Sequence, residues 1–138
     1  QALFNTPMNK KTVVTFGTFD IFHVGHLRLL EKARALGTHL VVGVSTDKLN
    51  FDKKGRNPVY SEDERKEIIL SLKCVDNVFD EESLEQKGDY LKEHEADILV
   101  MGDDWEGKFD VYREICEVVY FQRTPAISTT EVIEKIRI

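Results

Sequence analysis

The sequence predicts an α/β fold: a doubly wound parallel sheet with helices on both faces, in a single domain. Short β-branched runs alternate with longer segments of helical periodicity. The runs are apolar almost throughout, which is how strands covered on both faces read. Size is the third observation, because 138 residues match one domain of roughly 100–200 residues. No repeat, low-complexity tract or Pro/Gly/Ser-rich linker divides the chain. Strand–helix alternation of this kind is Rossmann-like.

The elements follow in order. Thr12–Phe16 (TVVTF) reads as the first strand, Gly25–Leu36 as a helix, and His39–Ser45 (HLVVGVS) as the second strand. A helix over Ser61–Leu72 opens with the S-x-x-E capping box of Ser61 and Glu64. Asn77–Phe79 is a weaker strand, followed by a helix over Leu84–His94. Ile98–Met101 (ILVM) and Glu117–Phe121 (EVVYF) complete the strands, and a last helix runs from about Ser128 to Ile136 with a second capping box, Ser128 and Glu131. Gly55-Arg56-Asn57-Pro58 is the clear loop insertion. Met8 reads as the natural start, so Gln1–Pro7 are treated as a cloning remnant and residues 1–10 as a lead-in.

Composition excludes several functions. Nineteen Lys and Arg against 25 Asp and Glu give a net charge of −6, which argues against a general nucleic-acid or anionic-membrane binder. No apolar run approaches the ~18 residues of a membrane span, and no signal-peptide core opens the chain. Cys74 and Cys116 lie far apart with no CxxC pattern, as expected of reduced structural thiols in a cytoplasmic protein.

In an open parallel sheet, ligands bind beyond the carboxyl ends of the strands, where strand order reverses. Four stretches fall just past such ends and are expected to share one cleft. They are Gly17-Thr18-Phe19-Asp20 with His23 and His26, Lys53-Lys54-Gly55-Arg56, Gly102-Asp103-Asp104-Trp105, and Arg123-Thr124 with Ser128-Thr129-Thr130. Gly17 lets the backbone approach a ligand closely. His23-Val24-Gly25-His26 then opens a helix, whose free N–H groups and dipole favour a phosphate. A spacing of three puts both imidazoles on one side of the first turn, where they can stabilise charge as a bond to phosphorus forms. As a zinc site the pair lacks Cys or further His ligands. Asp20 either orders the loop around His23 or reaches a metal. Adjacent carboxylates such as Asp103 and Asp104 are usually solvated, Trp105 reads as packing more than recognition, and Arg65 reads as a solvated or intersubunit ion pair. His39 and His94 receive no function.

These motifs resemble a known family. GTFDIFHVGHLRLL (Gly17–Leu30) resembles the GTFDxxHxGH motif of the cytidylyltransferases, relatives of the class I aminoacyl-tRNA synthetases, and RTPAISTT (Arg123–Thr130) resembles their RTxGISTT motif. STDKLN (Ser45–Asn50), LEQK (Leu84–Lys87) and MGDDWEGKFD (Met101–Asp110) narrow the resemblance to the bacterial glycerol-3-phosphate cytidylyltransferases, over nearly all of Lys11–Ile136. Residues 11–138 then form one cytidylyltransferase domain.

The resemblance implies CTP and sn-glycerol 3-phosphate as substrates, CDP-glycerol and pyrophosphate as products, and a role in making a cell-surface polymer or glycan. Mg²⁺ is the implied cofactor, no organic cofactor is expected, and the implied assembly is a homodimer. It implies that Thr18 and Phe19 meet the nucleotide through backbone, and that His23 and His26 hold the triphosphate, with Gly17 and Gly25 shaping that site. Arg123 would act in catalysis, and Arg123, Thr124, Ile127, Ser128, Thr129 and Thr130 would wrap cytidine and phosphates. Lys87 would touch glycerol phosphate, and Asp104 would hold a glycerol hydroxyl or a basic residue. The family places two lysines, two apart, after the second strand. Lys54 for the acceptor and Arg56 for the nucleotide are favoured here, as residues on opposite sides of an extended loop, with Lys53 the rival for the first position. Pro125-Ala126 replaces the family's common Glu-Gly and restrains Thr124. A phosphate monoester is already largely deprotonated at neutral pH, so no general base is needed, and catalysis reduces to positioning and cationic stabilisation. The alternatives are a nucleotidyltransferase with another acceptor, such as ethanolamine phosphate or a flavin that receives AMP, and a non-catalytic nucleotide-binding domain.

Overall fold

A computed structural model describes residues 9–122 and 128–137. It contains strands β1 (Thr12–Gly17), β2 (His39–Ser45), β3 (Asn77–Glu81), β4 (Ile98–Gly102) and β5 (Glu117–Phe121), and helices α1 (Val24–Arg34), α2 (Asp47–Lys54), α3 (Glu62–Leu70), α4 (Lys87–Glu93) and α5 (Thr129–Arg137). The strands form one sheet in the order β3-β2-β1-β4-β5, and every pairing is parallel. β1 lies between β2 and β4, so strand order reverses beside it and the loops after β1 and β4 flank the switch point. No helix among the described residues is long and apolar enough to cross a membrane.

The sheet separates two apolar layers, and alternate strand residues feed each. Val13, Val42 and Val100 pack with Leu30 and Ala33 of α1 and Ile69 of α3, whereas Val14, Val41 and Leu99 pack with Tyr90 and Leu91 of α4. This two-sided burial explains why the strand sequences lack alternation. At the far edge, the Asp97 and Asp76 carboxylates accept the Thr12 and Leu40 N–H groups, each at 2.8 Å, where those strands begin.

Several boundaries differ from expectation. Lys53 and Lys54 lie in the last turn of α2, not in an extended loop. Thr46 caps that helix by accepting the Leu49 N–H, and Gly55 closes it in the left-handed conformation at φ +73. α4 starts at Lys87, later than Leu84, and α1 ends at Arg34, short of Leu36. Single 3₁₀ turns at Asp103–Trp105 and Asp110–Glu114 fill the segment between β4 and β5. Ser61 and Glu64 form the expected capping box of α3.

Candidate active site

The loop after β1 is built on a tight approach. A Cβ at Gly17 would lie 2.7 Å from the Phe19 ring, so only glycine lets that ring fold back against the strand. Phe19 and Ile21 adopt φ values of +55 and +47. Such conformations cost on the order of 1–3 kcal/mol each, and they persist where the surroundings over-determine them. The surroundings do so here. Asp20 accepts the N–H groups of Ile21, Val59 and Tyr60 at 3.1, 2.7 and 2.9 Å. Thr129 donates its hydroxyl to the Asp20 carbonyl, and Arg65 donates to the Thr18 carbonyl at 2.9 Å. Of the two roles expected for Asp20, loop ordering has direct geometric support.

His23 and His26 form a reciprocal cap at the start of α1. The His23 Nδ1 accepts from the Gly25 N–H at 3.0 Å, and the His26 Nδ1 accepts from the His23 N–H at 3.2 Å. Their rings stack with centroids 3.9 Å apart. With both Nδ1 atoms accepting, the neutral rings carry their protons on Nε2. Burial first, and then His23, lowers the His26 pKa from 6.5 to about 4, while Asp20 opposes the shift. His26 is therefore a neutral N–H donor at physiological pH.

Both histidines line a cavity of about 820 Å³ at the carboxyl edge of the sheet. Gly17, Thr18, Phe19, Asp20 and Gly25 join them from the same loop and helix. Lys54 and Arg56 enter from the end of α2, Asp104 from beyond β4, and Ser128, Thr129 and Thr130 from the start of α5. Ser128 also caps α5 by accepting the Glu131 N–H at 3.1 Å. The expected convergence of four loops is thus present through their described members. Arg123, Thr124 and Ile127, with Pro125 and Ala126, lie outside the described residues.

Two assigned lysines do not line this cavity. Lys53 is exposed on α2. Lys87 is buried, with its ammonium 2.7 Å from the Glu81 carboxylate and 3.6 Å over the Phe16 ring. Burial lowers its pKa, and Glu81 opposes this. In the observed geometry the Lys87 ammonium is engaged by Glu81. Trp105 is half exposed, lines the cavity and packs on Phe109.

Arg65 corrects the sequence reading. It is fully buried and donates to the carbonyls of Tyr60, Thr18 and Ser45 and to the Asp47 carboxylate, so it ties the β1 loop, the β2 end, α2 and α3 together. Asn50, another residue without an assigned role, is buried at the cavity floor. The described side chains do not fit a resident metal. No three His, Cys, Asp or Glu side chains converge among the described residues, and both Asp20 oxygens already accept backbone N–H groups.

Comparisons with known proteins agree with this geometry. Residues 14–135 match the family model described as cytidylyltransferase-like. The chain is 48% identical over 126 residues to the glycerol-3-phosphate cytidylyltransferase of Bacillus subtilis strain 168, covering 91% of this chain and 97% of that one. It is 35% identical over 141 residues to the FAD synthase of Thermococcus sibiricus, covering 95% of both. A solved structure, the lipopolysaccharide core biosynthesis protein from Thermoplasma volcanium, superposes with a TM-score of 0.75 at 26% identity, over 84% of this chain and 99% of that one. The strand order, the histidine pair at the switch point and the match across 14–135 converge: the chain belongs to the cytidylyltransferase-like family.

Proposed function

We propose that this protein transfers the cytidylyl group of CTP to sn-glycerol 3-phosphate, giving CDP-glycerol and pyrophosphate. A phosphate oxygen of the acceptor forms a bond to the α-phosphorus of CTP, and the α–β bridging bond breaks as pyrophosphate leaves. The observation that carries the reading is the stacked histidine pair, held as Nε2–H donors at a helix N-terminus beside the cavity. That arrangement suits a triphosphate. The higher identity to the glycerol-3-phosphate cytidylyltransferase, 48% against 35% for the FAD synthase at similar coverage, supports this acceptor over a flavin.

The chemistry asks little of a general base and much of electrostatics. Two polyanions must meet in a protein of net charge −6. The α1 N-terminus, His23 and His26 receive the triphosphate, and Lys54 and Arg56 offset charge where the two substrates approach. Donors fixed before the reaction cost no reorganisation as charge develops. Arg123 and the segment through Thr130 are assigned to cytidine and phosphate. Mg²⁺ enters as the counter-ion that CTP carries, and no step runs through a metal held by the protein. The product would feed cell-surface polymer or glycan synthesis, and the protein would act as a homodimer.

Pyrophosphate release with glycerol 3-phosphate and each nucleotide tests this. CTP, and dCTP with it, should be used far better than ATP, GTP or UTP, because the wrong base leaves buried polar groups unpaired. Comparable kcat/KM with ATP would favour adenylyl transfer instead.

A further inference from the structure

We infer that Asn50 is a positioning residue for the nucleotide, acting through a closed ring of hydrogen bonds with Ser45 and Thr18. The inference deepens the proposed function and rests on its assignment of the Thr18–Phe19 backbone to CTP. Ser45 ends β2, Asn50 lies on α2, and Thr18 opens the loop after β1.

The ring is continuous in one direction. The Asn50 Nδ2 donates to the Ser45 Oγ at 2.8 Å, the Ser45 Oγ donates to the Thr18 Oγ1 at 3.1 Å, and the Thr18 Oγ1 donates to the Asn50 Oδ1 at 3.1 Å. Each hydroxyl owns one proton, and the ring uses both. Asn50 is itself anchored, because its second Nδ2 proton is donated to the Thr46 carbonyl at 2.8 Å. Asn50 and Ser45 are each 1% exposed, so water competes little for the bond between them, while the two bonds to Thr18 are part-buried. Their amide and hydroxyl therefore fix the Thr18 side chain, while Arg65 fixes its carbonyl.

Position separates this ring from ordinary packing. Thr18 and Asn50 both line the cavity, and Thr18 directly precedes Phe19 with its positive φ. Rotation of Thr18 would turn the peptide that leads into Phe19, the backbone assigned to the nucleotide. Lys54 enters the cavity from the far end of α2, so loss of the ring should leave the acceptor side in place.

Calorimetric titration of the full chain with Mg·CTP, combined with both KM values, tests the inference. Thr18→Val keeps the shape and removes the hydroxyl, and Thr18→Ser keeps the hydroxyl. Thr18→Val and Asn50→Ala should each weaken CTP binding by about tenfold or more. Thr18→Ser should stay close to wild type, and KM for glycerol 3-phosphate should stay within about twofold in all three. If Asn50→Ala does not fold, the Thr18 pair decides. Wild-type affinity for CTP in Thr18→Val overturns the inference, as does a parallel rise in both KM values. Absence of CTP binding by the wild-type chain would overturn the functional reading instead.

Discussion

Single residues set the protonation of the site. His26 is held near a pKa of about 4 by burial and by the adjacent His23. As pH falls from 6.5, the unfolded chain binds this proton before the folded one does. Stability should therefore decline through the window from 6.5 to about 4, with no further loss from this group below it. An NMR titration of the ring should give a midpoint near 4, and His23→Ala should move it upward part of the way, since burial remains. A midpoint near 6.5 would contradict the neutral-donor assignment. Either His23→Ala or His26→Ala should lower kcat by about 10²–10³ with the fold retained, the usual cost of removing one pre-organised donor. The histidines were readable because a glycine-ended strand and a helix start bracket them. Arg65 was not readable. It sits among charged neighbours in EDERKEI, and its acceptors at Thr18 and Ser45 are distant in sequence.

At the scale of elements, the end of α2 decides which cations reach the cavity. The short, charge-rich DKLNFDKK segment has weak helical periodicity, and from sequence its lysines read as part of a loop. The Thr46 cap and the left-handed Gly55 make it a helix. That geometry gives Lys54 and Arg56 to the cavity and leaves Lys53 outside it. Steady-state kinetics should show Lys54→Ala and Arg56→Ala each raising at least one KM, with Lys54 acting mainly on glycerol 3-phosphate and Arg56 on CTP. Lys53→Ala should change neither, and an acceptor defect in Lys53→Ala alone would reverse the assignment. Gly55→Ala meets no neighbouring atom but must hold φ +73. It should cost about 1 kcal/mol of stability and raise both KM values by shifting the helix end. Strands were readable because two-sided burial leaves nearly unbroken apolar runs, and the capping boxes marked α3 and α5.

Across the whole molecule, parallel strands with covering helices predicted the class of fold, but nothing local in the sequence states that β1 lies between β2 and β4. That order is set by long-range packing, and it brings the loops after β1, β2 and β4 to one cavity beside the start of α5. The cavity joins a strained, heavily braced nucleotide loop to two cations at a helix end. This joint site is built to pass a cytidylyl group to glycerol 3-phosphate. Product analysis by mass spectrometry tests it most directly. CTP and ATP would be offered together with glycerol 3-phosphate, ethanolamine phosphate and FMN at equal concentrations. CDP-glycerol and pyrophosphate should be the dominant products, and they should be lost in His23→Ala. FAD or CDP-ethanolamine as the main product, or no nucleotidyl transfer from wild-type protein, would contradict it.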